Sequence, residues 1–255
     1  MTIPTAITVV DLSTTSAGSL EMAAATHIGP VRQENQDAFA ATPVHGGDGV
    51  ALIVADGMGG LPGGLEAAGA AVSAALEVLA SGEATRGTLG AAIAAANRAV
   101  GALRSEIGGQ PGTTLTIAAV AGRAAAIGHA GDSRAYLVRG ATASVLTSDH
   151  SWVGEQVRAG ALDPGSERRH PRRNVITRAV MGEELEPELL SIELEPGDIV
   201  MLCSDGFWEP LGDDDIAVLL GTPGPLTAVV ERAAQAALDA GATDNVTLAA
   251  LRLRA

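Results

Sequence analysis

Residues 50–57 read VALIVADG, and residues 199–206 read IVMLCSDG. Each is an unbroken apolar run closed by Asp-Gly, the pattern of a buried strand. A lone Asp-Gly of this kind marks a hairpin turn. Here neither pair leads straight into an alternating strand; each opens into a Gly- or Pro-bearing stretch and then a helical pattern. Outward from the first run, residues 63–79 and 88–103 are Ala-rich with helical apolar spacing, which predicts two helices. Short strands are expected at 113–120, 124–129, 135–138 and 144–146, separated by Gly-containing turns, as an antiparallel meander. Around the second run the pattern predicts strands at 189–194 and 246–253 and helices at 213–220 and 226–240. Residues 151–183 break this rhythm. They hold the short amphipathic stretch WVGEQVRAG, then DPGSERRHPRRN, with four Arg in six positions. Residues 1–20 carry no sustained period and read as a loose N-terminal extension, followed by a single domain over 21–255. The order is α+β, with helices covering antiparallel sheets.

Composition narrows the function. Of 255 residues, 47% are hydrophobic but only 2% aromatic, so Ala, Val, Leu and Ile must fill the core. Acidic residues number 30 and basic 16, all Arg, for a net charge of −14. That balance disfavours nucleic acid and anionic lipid as partners. One cysteine, Cys203, excludes a disulfide framework and a cysteine-rich zinc site, and its place in IVMLC reads as a buried strand position. No Arg or Lys precedes Arg32, so the charged start of a secretory signal is missing. The apolar stretches at 115–127 and 67–80 are broken by Arg123 and Glu77, short of the ~20 residues a membrane span needs. A cytoplasmic chain with no membrane span is expected.

The chemistry is carried by aspartates at strand ends. Asp56 and Asp205 close the two apolar runs. Asp132 in HAGDSRAYLV and Asp244 in ATDNVTLAAL stand at strand entries, and Asp37 closes RQENQD just before AFAA. Carboxylates crowded at the rim of buried strands cannot all stay ionised without a counter-charge. A metal ion supplies one, and an oxygen-only donor set points to Mg²⁺ or Mn²⁺, not to zinc.

Eight segments then match one family in order. They are GPVRQENQD (29–37), VADGMGG (54–60), GTTL (112–115), GHAGDSRAYL (128–137), TSDHSWV (147–153), HPRRNVITRAVMG (170–182), LEPGDIVMLCSDGFWE (194–209) and TDNVTL (243–248). The chain resembles the metal-dependent protein phosphatases of the protein phosphatase 2C type, in their compact bacterial form. The resemblance implies a central sandwich of two antiparallel sheets with helices on both outer faces, and a metal centre at one end between the sheets. It implies a serine/threonine protein phosphatase that hydrolyses phosphoserine and phosphothreonine through a water activated by a binuclear Mn²⁺ or Mg²⁺ centre. Asp56 is then the bridging ligand, with the Gly57 carbonyl, Asp205 and Asp244 completing the centre. Asp37 binds directly or through water, and Asp132 matches the position of a third, weaker ion. Arg32 matches the arginine that grips the substrate phosphate, and an Arg fork suits two phosphate oxygens. Arg32, Asp56 and Asp205 are the catalytic set.

One departure concerns the leaving-group acid. Animal members carry His two residues after the bridging Asp; here Met58 stands there. His150 and His129 are available, and a metal-held water near Asp132 is the stronger candidate. Asn35 and Asn245 are expected to orient carboxylates, Thr113 and Thr114 to serve backbone hydrogen bonding, and Trp152, Phe207 and Trp208 to pack in the core or flap. Cys203 lacks the phosphate-cradling arginine of a cysteine-dependent phosphatase. Residues 151–183 correspond to the family's flap. There Arg168, Arg169, Arg172 and Arg173 either pair with nearby Glu or read a phosphorylated peptide. Phosphorylated proteins, the targets of serine/threonine kinases or the kinases themselves, are the implied partners. A non-catalytic phosphoprotein-binding member and a hydrolase of small phosphoesters are the competing readings.

Overall fold

The computed structural model describes residues 6–12, 20–44, 49–58 and 63–254. Two antiparallel sheets face each other. The first has the order β1 (Thr8–Asp11), β2 (Leu20–His27), β12 (Val246–Leu253), β11 (Ile199–Cys203), β8 (Arg134–Arg139) and β9 (Thr142–Val145). The second has the order β10 (Glu188–Glu193), β7 (Ala124–Ala130), β6 (Leu115–Ala121), β4 (Gly49–Met58) and β3 (Asp37–Pro43), with the short β5 (Gly112–Thr113) also on β4. Helices α1 (Gly64–Ser81) and α2 (Arg86–Ile107) cover the second sheet. The one-turn α4 (Asp205–Trp208), α5 (Asp213–Leu220) and α6 (Leu226–Asp239) cover the first.

The unbroken apolar runs follow from this layering. On β4, Ala51, Ile53 and Ala55 face α1 and α2, while Val50, Leu52 and Val54 face the other sheet. On β11, Ile199, Met201 and Cys203 face outward to the helices, and Val200 and Leu202 face inward. Strand side chains alternate with period 2, so covering both faces makes every position apolar. Cys203 is buried, as its run implied, and burial pushes its thiol well above the usual range.

Two expectations change, and two strands are new. Thr8–Asp11, inside the segment read as a loose extension, form an edge strand paired with β2; residues 1–5 and 13–19 lie outside the described residues. Strands β2 and β3 had no sequence prediction. The meander over 113–146 is instead two hairpins in different sheets: β6 pairs β7, and β8 pairs β9 and β11. The chain crosses the sandwich at residues 131–133. Gly131 makes that crossing with φ +122°, where a Cβ would meet Thr114 Cγ2 at 2.5 Å. α1 is long and apolar enough to cross a membrane by composition, but Ala67, Ala71, Ala75 and Leu79 pack it onto the second sheet.

Candidate metal centre

Toward one end of the sandwich the layer between the sheets turns polar while keeping its period of 2. The inward face of β4 runs Val50, Leu52, Val54 and then Asp56. The inward face of β3 starts at Asp37, directly opposite Asp56 in register. From the first sheet the same layer continues Val200 and Leu202 to Ser204, and Leu251 and Ala249 to Thr247. Asp205 follows Ser204 as the first residue of α4.

Each carboxylate-bearing segment is held by hydrogen bonds. Asp56 N–H donates to Thr114 Oγ1 at 2.9 Å, and its carbonyl accepts from Thr114 N and Thr113 Oγ1, both at 2.9 Å. That is the backbone role expected of these threonines. Gly57 must be glycine, because a Cβ there would lie 2.3 Å from the Gly64 carbonyl oxygen. Ser204 Oγ donates to Asp37 Oδ2 at 2.8 Å. Asn245 Nδ2 donates to the carbonyls of Ile28 and Glu34, and its Oδ1 accepts from Gln36 N. Asn35 Oδ1 accepts from Asp37 N at 3.2 Å. The two asparagines thus orient the backbone that carries the carboxylates, not the carboxylates themselves.

Asp56, Asp132, Asp205 and Asp244 line one open cavity of about 170 Å³, with Arg32, Gln36, Gly57, Met58, Asn174, Ile176 and Asn245. Asp37 stands behind Asp56, outside this lining. Arg32 is half exposed and pairs with Asp244 Oδ2. Gln36, Asn174 and Ile176 were given no role from sequence, although all three lie inside matched segments.

The electrostatics are those of crowded, buried like charges. Burial, then the Asp37 and Asp205 carboxylates, pushes Asp56 well above the usual range. Burial, then Asp132 and Asp244, does the same to Asp205. Burial raises Asp37 to about 6, and burial with Asp149 raises Asp132 to about 7. Among the described residues, the buried side-chain oxygens without a hydrogen-bond partner are Asp37 Oδ1 and Asp205 Oδ1. Native proteins rarely leave such atoms orphaned, and here both belong to the aspartates expected to hold metal. The donor set is hard oxygen throughout, so the residues present fit Mg²⁺ or Mn²⁺.

His129 and His150 are not part of this cleft's lining. His129 Nε2–H donates to the Gly131 carbonyl at 3.0 Å, so its neutral Nδ1 accepts from Thr116 Oγ1 at 2.9 Å. His150 Nδ1 accepts from Gly131 N–H at 3.2 Å, and Gly131 O also accepts from His150 N–H at 2.7 Å. Burial lowers His129 to about 4 and His150 to about 3. His150 is therefore a clamp on the 131–133 crossing, its burial favours the neutral ring, and it lies outside the cavity lining where a leaving-group acid would stand. With Glu188 the pair makes a metal-type grouping by residue identity, but three of the four ring nitrogens already serve Gly131 and Thr116.

Within residues 151–183, α3 (Trp152–Arg158) is followed by a 3₁₀ turn at Ser166–Arg168. Arg168 pairs with Asp213 at 2.6 Å and donates to the Trp208 carbonyl; Arg173 pairs with Glu209 at 2.9 Å. Arg172 lies 4.8 Å over the Trp152 ring, and Arg169 and Arg172 are exposed. Phe207 and Trp208 are core residues, and Trp152 packs on His170.

A family model, Protein phosphatase 2C, matches residues 27–245. The chain belongs to the protein phosphatase 2C family. The serine/threonine protein phosphatase PstP of Mycobacterium tuberculosis is 37% identical over 235 residues, covering 90% of this chain and 44% of that protein. The chain thus spans less than half the length of that relative. The PstP catalytic domain, solved in complex with two manganese ions, superposes with a TM-score of 0.81 at 32% identity, over 92% of this chain and 99% of that one. The S. agalactiae serine/threonine phosphatase gives 0.85 at 32% identity, over 92% and 100%. Both likenesses bear out the expected α+β sandwich.

Proposed function

We propose that this chain is a metal-dependent serine/threonine protein phosphatase, with the phosphatase domain including the edge strand Thr8–Asp11 and running from there through the rest of the chain, and 151–183 as its flap. The observation that carries this reading is the pair of orphaned buried oxygens, Asp37 Oδ1 and Asp205 Oδ1, beside a carboxylate-lined cleft that also presents Arg32. Asp56, Asp205, Asp244 and the Gly57 carbonyl would hold two ions, with Asp37 reaching one directly or through water and Asp132 holding a third. When bound, Mn²⁺ or Mg²⁺ supplies charge neutralisation for the phosphoryl oxygens and a water acidified for attack on phosphorus. Arg32, at the cleft mouth, binds the phosphate with two parallel N–H donors, exchanging its Asp244 partner for substrate. Asp56 and Asp205 keep their positions because Thr114, Thr113 and the start of α4 fix their backbone.

The substrates are phosphorylated proteins, serine/threonine kinases among them, in the reducing cytoplasm that a lone buried cysteine suits. Of the four arginines at 168–173, the exposed Arg169 and Arg172, the latter lying over the Trp152 ring, are the ones able to meet a peptide, since Arg168 and Arg173 are engaged with Asp213 and Glu209. Hydrolysis of a phosphothreonine peptide, assayed with chelator and then with added Mn²⁺, tests the reading. Activity that appears only with metal supports it, and metal-independent hydrolysis refutes it. Parallel turnover of a small aromatic phosphate separates the protein-phosphatase reading from that of a small-phosphoester hydrolase.

A further inference from the structure

Trp208 touches the Asp132 crossing, the flap and the first sheet at once. Its indole Nε1–H donates to the Asp132 carbonyl at 3.0 Å. The Arg134 guanidinium lies 3.5 Å from its ring centroid, and Arg168 of the flap lies 5.3 Å away. Arg168 also donates to the Trp208 carbonyl and pairs with Asp213. The circuit closes on the other side. Tyr136 OH donates to Asp213 Oδ1, Arg134 donates to Tyr136 OH, and Arg134 forks onto both Asp149 oxygens at 2.8 and 2.7 Å. Arg158, at the end of α3, donates to the Asp149 carbonyl at 2.8 Å. The flap therefore grips the Arg134–Trp208 stack from two places, at Arg158 and at Arg168.

We propose that Trp208 is a positioning residue for Asp132, and that flap docking through Arg168 sets the strength of that hold. The inference rests on the reading of Asp132 as a metal-binding carboxylate. The Gly131 peptide is clamped by His129 and His150, and Ser133 Oγ by Thr114 Oγ1 at 2.7 Å. The Asp132 carbonyl between them is held by Trp208. The His150 clamp also meets the flap, at Thr177 N–H and Arg178, but the Trp208 tie is the one that Arg168 reaches, so an undocked Arg168 loosens Asp132 without touching it. Groups that orient a metal-binding residue from outside commonly matter as much as modest changes in the ligands themselves.

The test uses the whole 255-residue chain, with and without Mn²⁺, in four forms: Trp208→Phe, Arg168→Ser, their double variant and Asp132→Ala. Phe keeps a ring for Arg134 and removes only the N–H. Peptide-level hydrogen exchange is read at residues 131–134, and kcat and KM on a phosphothreonine peptide. Each single variant should exchange faster at 131–134 and lose about tenfold in kcat with KM changed less than about twofold. The double variant should match Trp208→Phe alone, because both act through one contact. Unchanged exchange at 131–134 in Trp208→Phe, or an Arg168→Ser effect that adds in full on top of it, overturns the proposal. Asp132→Ala with undiminished turnover would instead refute the role of Asp132, while the exchange data still decide that of Trp208.

Discussion

Two groups of buried polar side chains flank the 131–133 crossing, and they are built on opposite rules. On one side stand Arg134, Asp149, His129 and His150. Arg134 and Asp149 form a two-pronged pair, both nearly fully buried, and the two histidines are neutral and clamp Gly131. On the other side stand Asp37, Asp56, Asp132 and Asp205, crowded like charges with two oxygens lacking any partner. A satisfied buried network stiffens a fold, whereas an unsatisfied one costs stability and persists where a ligand completes it. The first group has the marks of scaffold, and the second is the candidate site.

Substitutions on the two sides should therefore fail in different ways. The largest effect is expected at the site. Asp205→Asn should lose bound metal and on the order of 10³-fold in activity, the several kcal/mol a metal contributes to charge stabilisation, while remaining folded by circular dichroism. Activity within a few-fold of wild type would place the metal elsewhere. On the scaffold side, Asp149→Ala leaves Arg134 buried and unpaired. It should cost about 3–5 kcal/mol in denaturant unfolding, equally with chelator and with Mn²⁺. A cost that vanished on adding metal would merge the two groups into one.

Much of this division was legible in sequence. β4, β11, β12 and the helices α1, α2, α5 and α6 were readable because their apolar periods are long, and four of the five aspartates at strand ends, Asp56, Asp132, Asp205 and Asp244, line one cavity. β2 and β3 were not readable: LEMAAATH and DAFAATP are rich in alanine, which has little strand preference, and only burial between α6 and the opposite sheet makes Ala23, Ala24 and Ala25 strand residues. The partners of the flap arginines were equally hidden, since Asp213 lies 45 residues from Arg168 and Glu209 lies 36 from Arg173. The second half of HAGDSRAYL has the pattern of a continuing meander, and nothing local announces that Gly131 changes sheets.

The histidine clamp makes a smaller, pH-dependent difference. His129 and His150 titrate near 4 and 3 when folded, against 6.5 when unfolded. The groups facing them are Arg178, Arg158, Arg134, Asp149 and Glu188. Below pH 6.5 the unfolded chain takes up protons that the folded chain refuses. Stability present above that pH is lost as pH falls, by about 1.4 kcal/mol per unit for each histidine. His150→Asn should flatten the slope of unfolding free energy between pH 6 and about 4. An unchanged slope would show that His150 is protonated in the fold. Smallest of all is Arg32→Ala, which should raise KM by about tenfold with metal content unchanged, as one exposed, two-pronged guanidinium–phosphate contact is lost. Loss of metal in that variant would show that the Asp244 pair belongs to the scaffold.

The claim that the aspartate cluster is a site held at the expense of stability is tested most directly by thermal unfolding of Asp205→Asn and wild type in chelator and in Mn²⁺. Removing one charge from an uncompensated cluster should leave the chelated variant at least as stable as the chelated wild type. Added Mn²⁺ should raise the wild-type Tm by several degrees and the variant far less, as expected when an ion binds only the folded chain. A chelated Asp205→Asn that unfolds well below chelated wild type, as Asp149→Ala should, would contradict the account.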